Sequence, residues 1–258
     1  MLIAGLDLAA EPKGSALATI DFGITKARLN SLQVGVDDQT ILDTAPTIDK
    51  LGIDCALGWP IEFTNFLQAH KIGGSDSASF DGGMNFRRAL AYRETDRATR
   101  EVIGRWPLSV STDRLGMTAI RCAGLLSKLS ARNHNVSRAG EGLVVEVYPA
   151  ASMRIWGLHS AGYRNSKDTR RALLQELNDL APWFDTTEYG ELMIESCDAF
   201  DSVFAALAAR AVSLGASTPA PAAHFERAKI EGWMHLPTVS ITELGPRSPD
   251  SVTARKQH

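Results

Sequence analysis

Apolar residues in this chain fall into two kinds of run. Short dense blocks dominate the first sixty residues, and longer blocks spaced for helices dominate the rest. Met1 to Ala10 is apolar or small except for Asp7, which reads as a buried strand. A Pro/Gly turn at Glu11–Gly14 follows, and Ser15–Phe22 and Ala27–Val36 read as two further strands joined by hairpin-length connections. Asp38–Lys50 has the pattern of a short helix interrupted by Pro46. Leu51–Leu57 is a fourth strand carrying Asp54, stopped by Gly58-Trp59-Pro60. Residues 61–71 are expected to be helical, 73–83 a mobile Gly/Ser/Asp surface loop, and 116–132 an amphipathic helix. Leu143–Tyr148 is a fifth strand with Glu146 in its middle. Helices are expected over 150–156, 167–180 and 198–214, the last capped by Ser196. A Pro/Ala stretch at 217–223, a last strand within 231–237 and a disordered polar tail from Gly245 complete the pattern.

Three antiparallel strands followed by alternating strands and helices predict a mixed sheet with helices on both faces, the order of the ribonuclease H-like fold. The expected organisation is one such domain over 1–244, with a helical and loop insertion at about 61–135 and a tail at 245–258.

Composition narrows the function classes. A chain of 258 residues, 44% hydrophobic and 22% charged, is long enough for a sizeable core. It has no apolar run near the roughly 18 residues of a membrane span. Cys55, Cys122 and Cys197 form an odd set without C-x-x-C spacing, which predicts reduced thiols and a cytoplasmic protein. A net charge of −3 argues against a grip on long duplex nucleic acid and leaves room for a short or structured one. Neither a P-loop, a G-x-G-x-x-G nor a G-x-S-x-G occurs, and the six histidines show no ligand spacing.

The chemistry lies in the acids that interrupt apolar stretches. Asp7 and Asp54 sit on strands expected to be neighbours, Glu146 lies in a Val-rich strand, and Asp198 and Asp201 share one face of a helix start at i, i+3. Two carboxylates about 4 Å apart repel by roughly 4 kcal/mol at an effective dielectric of 20. Hard divalent ions, Mg²⁺ or Mn²⁺, resolve such a cluster, and two of them form the clamp used in phosphodiester hydrolysis. Asp7, Glu146, Asp198 and Asp201 are the expected metal ligands, and Asp54 is a fourth ligand or an orienting group behind them. Residues 85–105 hold an arginine run that reads either as a solvated helix face or as a phosphate-gripping patch. In the second reading Lys13, Arg93 and Arg97 would hold substrate phosphate.

Several phrases occur in an order that resembles a known family. They are Gly5-Leu6-Asp7-Leu8-Ala9, Ile53-Asp54-Cys55-Ala56-Leu57-Gly58-Trp59-Pro60, Arg93-Glu94-Thr95-Asp96, Val145-Glu146-Val147-Tyr148-Pro149-Ala150, Asp198-Ala199-Phe200-Asp201-Ser202 and Glu231-Gly232-Trp233-Met234. Together they resemble family 429 of unknown function, predicted nucleases of ribonuclease H-like fold. The resemblance implies a metal-dependent nuclease, a hydrolase, built on Asp7, Asp54, Glu146 and the Asp198/Asp201 pair. Asp96 falls in the family's Arg-x-Thr-Asp phrase without an assigned role. An actin-like or sugar-kinase-like ATP-binding protein and a non-catalytic binding module stay open as alternatives. The first would need a second half and a second phosphate loop.

Overall fold

The structure is a computed structural model that describes residues 1–72 and 82–246. The expected loop at 73–83 and tail at 245–258 therefore lie, except for their described ends, outside the described residues. The chain is a mixed α/β fold that divides into two compact units. One comprises Met1–Asp54, Val147–Thr218 and the described part of Leu236–His258. The other comprises the described part of Cys55–Glu146 together with Pro219–His235. The insertion expected at about 61–135 falls inside the second.

In the first unit β1 (Leu2–Asp7), β2 (Ala16–Phe22) and β3 (Ala27–Val34) form the expected antiparallel meander. Helix α1 (Asp38–Thr44) starts where Asp37 accepts the Thr40 N–H at 2.8 Å, and Pro46 turns its end into a 3₁₀ turn. The chain then returns as β4 (Lys50–Asp54), parallel to β1 on the side away from β2. Ile3–Leu6 are all buried, as a strand covered on both faces requires, whereas β3 alternates buried and exposed positions. A two-residue strand at Phe184–Asp185, too short to leave a periodic trace, pairs in parallel with β3.

A long helix, α9 (Cys197–Ser213), lies across β1, β2 and β4. It begins where Ser196 Oγ accepts the Ala199 N–H at 3.1 Å and is buried continuously from Ala199 to Ala211. Its alanines let the backbone approach the sheet, and two glycines complete the fit. A Cβ on Gly5 would lie 2.1 Å from Ala206 N and Ser202 O, and one on Gly52 would lie 2.5 Å from Ala205 O. Small residues on both surfaces are therefore a steric condition of this layer. Helices α6 (Pro149–Ile155) and α8 (Gly190–Glu195) pack against α9, and α7 (Lys167–Leu180) packs against α8.

The second unit holds α2 (Ile61–Ile72), α3 (Gly83–Ala91), α4 (Glu94–Ile103), α5 (Gly116–Ala131), β5 (Val144–Glu146) and α10 (Phe225–Glu231). The arginine run is two helices, because the chain extends at Tyr92 and Arg93 and the Asp96 carboxylate accepts the Arg93 N–H at 2.8 Å. Arg93 therefore precedes α4, and Arg97 and Arg100 lie within it. The last strand expected within 231–237 is replaced by isolated bridges, Met234 to Glu146 and Pro237 to Ser217, after α10 has taken its first residue.

Candidate functional site

Two groups of ionisable side chains emerge, one in each unit. In the first unit, Asp7 and Asp54 end β1 and β4 and are partners in the parallel register. In-register neighbours of adjacent strands project to the same face, so the two acids stand side by side at the carboxyl end of the sheet. The first turn of α9, seated over the same strands, brings Asp198 and Asp201 to this edge. Burial, and then the charges of Asp54, Asp201 and Asp198, push the Asp7 carboxyl up to about 9. Burial raises Asp201 to about 6 and also raises Asp198.

Asp201 is 3% exposed and well partnered. Tyr163 Oη donates to its Oδ1 at 2.7 Å, and the Cys197 thiol faces Oδ2 at 3.8 Å. Arg164 Nε donates to Tyr163 Oη at 3.2 Å while its Nη2 lies 3.6 Å from Asp201 Oδ2. Arg164 thus places a half-exposed cation beside the acids, and its positive charge lowers the carboxyls it faces. Burial and Asp201 push the Cys197 thiol up to about 12, which makes it an inert neighbour at neutral pH. The loop carrying Tyr163 and Arg164 is fixed by Arg170, buried on α7. Its guanidinium donates to Tyr163 O at 2.6 Å, Ile194 O at 2.7 Å and Glu195 O at 3.3 Å.

Tyr163, Arg164 and Arg170 escape the sequence reading because they lie between apolar blocks without spacing of their own. The available signal is an arginine, Arg170, on the otherwise apolar face of α7 defined by Leu173, Leu174 and Leu177.

Glu146 is committed elsewhere. In the second unit both of its oxygens accept from Arg93, at 2.7 and 2.8 Å, and Oε2 also accepts the Leu57 N–H at 3.0 Å. Arg93 completes a bidentate pair with Asp96 through Nε and Nη2, and Nη1 donates to Glu231 O at 3.1 Å. All five guanidinium N–H groups are therefore given to protein acceptors, on a side chain 2% exposed. Arg93, expected to hold phosphate, holds instead the carboxylate expected to hold metal, and Asp96 gains a role as the second arm of the clamp. Glu231, also buried, accepts the N–H groups of Ile61 and Glu94 and pairs with Arg227 at 2.8 Å. Gly232, at φ 88°, passes so close that a Cβ there would lie 2.7 Å from Glu146 Oε2.

The remaining expected phosphate ligands are on surfaces. Lys13 pairs with Glu11 at 2.7 Å and is 85% exposed. Arg97 donates to the carbonyls of Arg88 and Tyr92 and faces Glu94 at 3.7 Å. Among the described residues, no three His, Cys, Asp or Glu side chains already converge on a single metal position. No helix among them is long and apolar enough to cross a membrane.

The chain thus joins a mixed α/β fold to acids gathered at the carboxyl end of the parallel pair β1 and β4. The chain belongs to the family of proteins of unknown function DUF429, whose profile matches residues 5–224. Comparison with curated proteins gave no significant match, and neither did comparison with solved structures.

Proposed function

We propose that this protein is a divalent-metal-dependent phosphodiesterase of ribonuclease H-like fold, acting on short or structured nucleic acid. The observation that carries this reading is the carboxylate edge, where Asp7 faces Asp54, Asp198 and Asp201 and is raised to about 9 by burial and their charges. An edge of this kind favours either protons or hard cations, and four carboxylates match the donor chemistry of Mg²⁺ or Mn²⁺. The ribonuclease H-like assignment is supported by the position of β1, between antiparallel β2 and parallel β4.

Asp7, Asp54, Asp198 and Asp201 would hold the ions, which supply charge neutralisation at phosphate and activation of water. Tyr163 and Arg170 act as positioning residues, the first on Asp201 and the second on the 163–164 loop. Arg164, half-exposed and carrying a fixed Nε, takes the phosphate-facing role that Arg93 is too buried to fill. Glu146 in this reading supports the second unit through Arg93.

The test is thermal unfolding with and without millimolar Mn²⁺, on wild type and Asp7→Asn in parallel. A ligand at a hundredfold excess over its Kd adds about 2.7 kcal/mol of stability. The expected result is a rise in wild type that the variant loses, with cleavage of a labelled oligonucleotide following the same pattern. A wild type that ignores Mn²⁺ and Mg²⁺ would overturn the reading. It would favour a non-catalytic binding module, a second reading that the lack of three converged ligands among the described residues supports.

A further inference from the structure

The second unit carries an open cleft of about 590 Å³ between α3 and α4, bordered by Trp106, that the carboxylate chemistry does not use. Its charged wall consists of Arg88, Arg97 and Arg100 against one acid, Glu101, a local surplus of two positive charges on a chain whose net charge is −3. Its volume lies within the roughly 300–1,000 Å³ of small-ligand sites.

Trp106 is the aromatic residue of the wall, and it belongs to a stack. Tyr92 stacks on Trp106 with ring centroids 4.0 Å apart and planes 19° from parallel. The Arg100 guanidinium lies over Trp106 at 4.4 Å from the ring centroid. Tyr92 belongs to the extended break between α3 and α4, and Arg97 Nη2 holds that break by donating to Tyr92 O and Arg88 O at 3.3 Å. The stack is consequently tied to the backbone turn that separates the helices. Arg100 and Arg88 are both exposed.

We infer that this cleft binds a nucleotide, with phosphate on Arg88 and Arg97 and the base extending the stack of Tyr92, Trp106 and Arg100. Arginine supplies bidentate donors that fit phosphate oxygens, and a guanidinium plane or indole ring is a surface on which any base stacks. The cations and the planar stack occupy the same cleft, which neither an inorganic anion nor an apolar ligand would need. The inference is independent of the metal reading, because every residue it uses lies in the second unit.

The experiment is fluorescence anisotropy of fluorescein-labelled decathymidylate with the full chain in EDTA, so that no metal-held complex contributes. Competition with adenosine 5′-monophosphate and with pyrophosphate forms the other arms. Base stacking is worth about 1–3 kcal/mol per base, so Arg100→Gln and Trp106→Leu should each weaken binding roughly 5- to 150-fold. Arg88→Gln, an exposed change with no packing cost, should weaken it at least about tenfold. Trp106→Phe should restore most of the loss of Trp106→Leu, and unchanged melting of Arg88→Gln excludes a folding effect. Decathymidylate binding that the monophosphate competes away only weakly identifies a strand as the ligand source. Monophosphate binding without decathymidylate binding identifies a free nucleotide. No saturable binding of either probe, affinities unchanged in all three loss variants, or pyrophosphate competing as well as the nucleotide would overturn the inference. Those outcomes would leave the carboxylate reading standing.

Discussion

The acidic edge predicts an inversion of stability that a purely structural aspartate would not produce. Asp7 has an ordinary value of 3.8 and is raised to about 9 in the fold. Between those limits the folded protein holds a proton that the unfolded chain releases, so this group makes stability fall as pH rises. The slope is about 1.36 kcal/mol per pH unit, which gives a ceiling of ~4 kcal/mol lost between pH 5 and pH 8. Asp7 is half-buried, and water reaching its carboxyl screens part of this. Asp7→Asn replaces the protonated acid by a neutral group of the same shape and removes the dependence. In EDTA the variant should therefore melt above wild type at pH 8, and the gap should shrink at pH 5. For a chain of this size 1 kcal/mol moves Tm by about 2–4 °C, so even a third of the ceiling is a difference of about 3–5 °C. Differential scanning fluorimetry across pH 5–8 reads it directly. On the proposed metal reading the order should reverse in millimolar Mn²⁺, because an ionised carboxylate binds a hard cation far better than a neutral amide does. A variant less stable than wild type at pH 8 in EDTA, with the same pH slope, would refute the electrostatic account of this edge.

The Arg93 clamp and the α9 contact offer further tests. Arg93→Met leaves Asp96 and Glu146 buried without their cation and should cost about 3–5 kcal/mol, read as a drop in the urea midpoint. Glu146→Gln should lower the midpoint in metal-free buffer too, and a midpoint equal to wild type would show that Glu146 is not structural. Gly5→Ala drives a Cβ to 2.1 Å from backbone atoms of α9 on two sides and should cost about 3 kcal/mol or more. Wild-type Tm in that variant would mean that α9 does not sit on β1 as described.

Much of the fold is legible in local pattern. The meander of β1, β2 and β3, strand β4 and the Ser196-capped start of α9 are written in apolar blocks, turn residues and a cap, each of which acts over a few residues. The sequence also singles out Asp7, Asp54, Asp198 and Asp201, since an acid inside or beside an apolar run is costly wherever the chain places it. Tertiary structure alone decides which acids keep company. Glu146 and Arg93 are 53 residues apart, and nothing local distinguishes a carboxylate that joins the acidic edge from one that meets a buried guanidinium. The same holds for Arg164, whose place beside Asp201 depends on a loop anchored by Arg170 from another helix. Periodicity reports which side of an element is buried, and the partner across the interface is chosen only when distant segments pack.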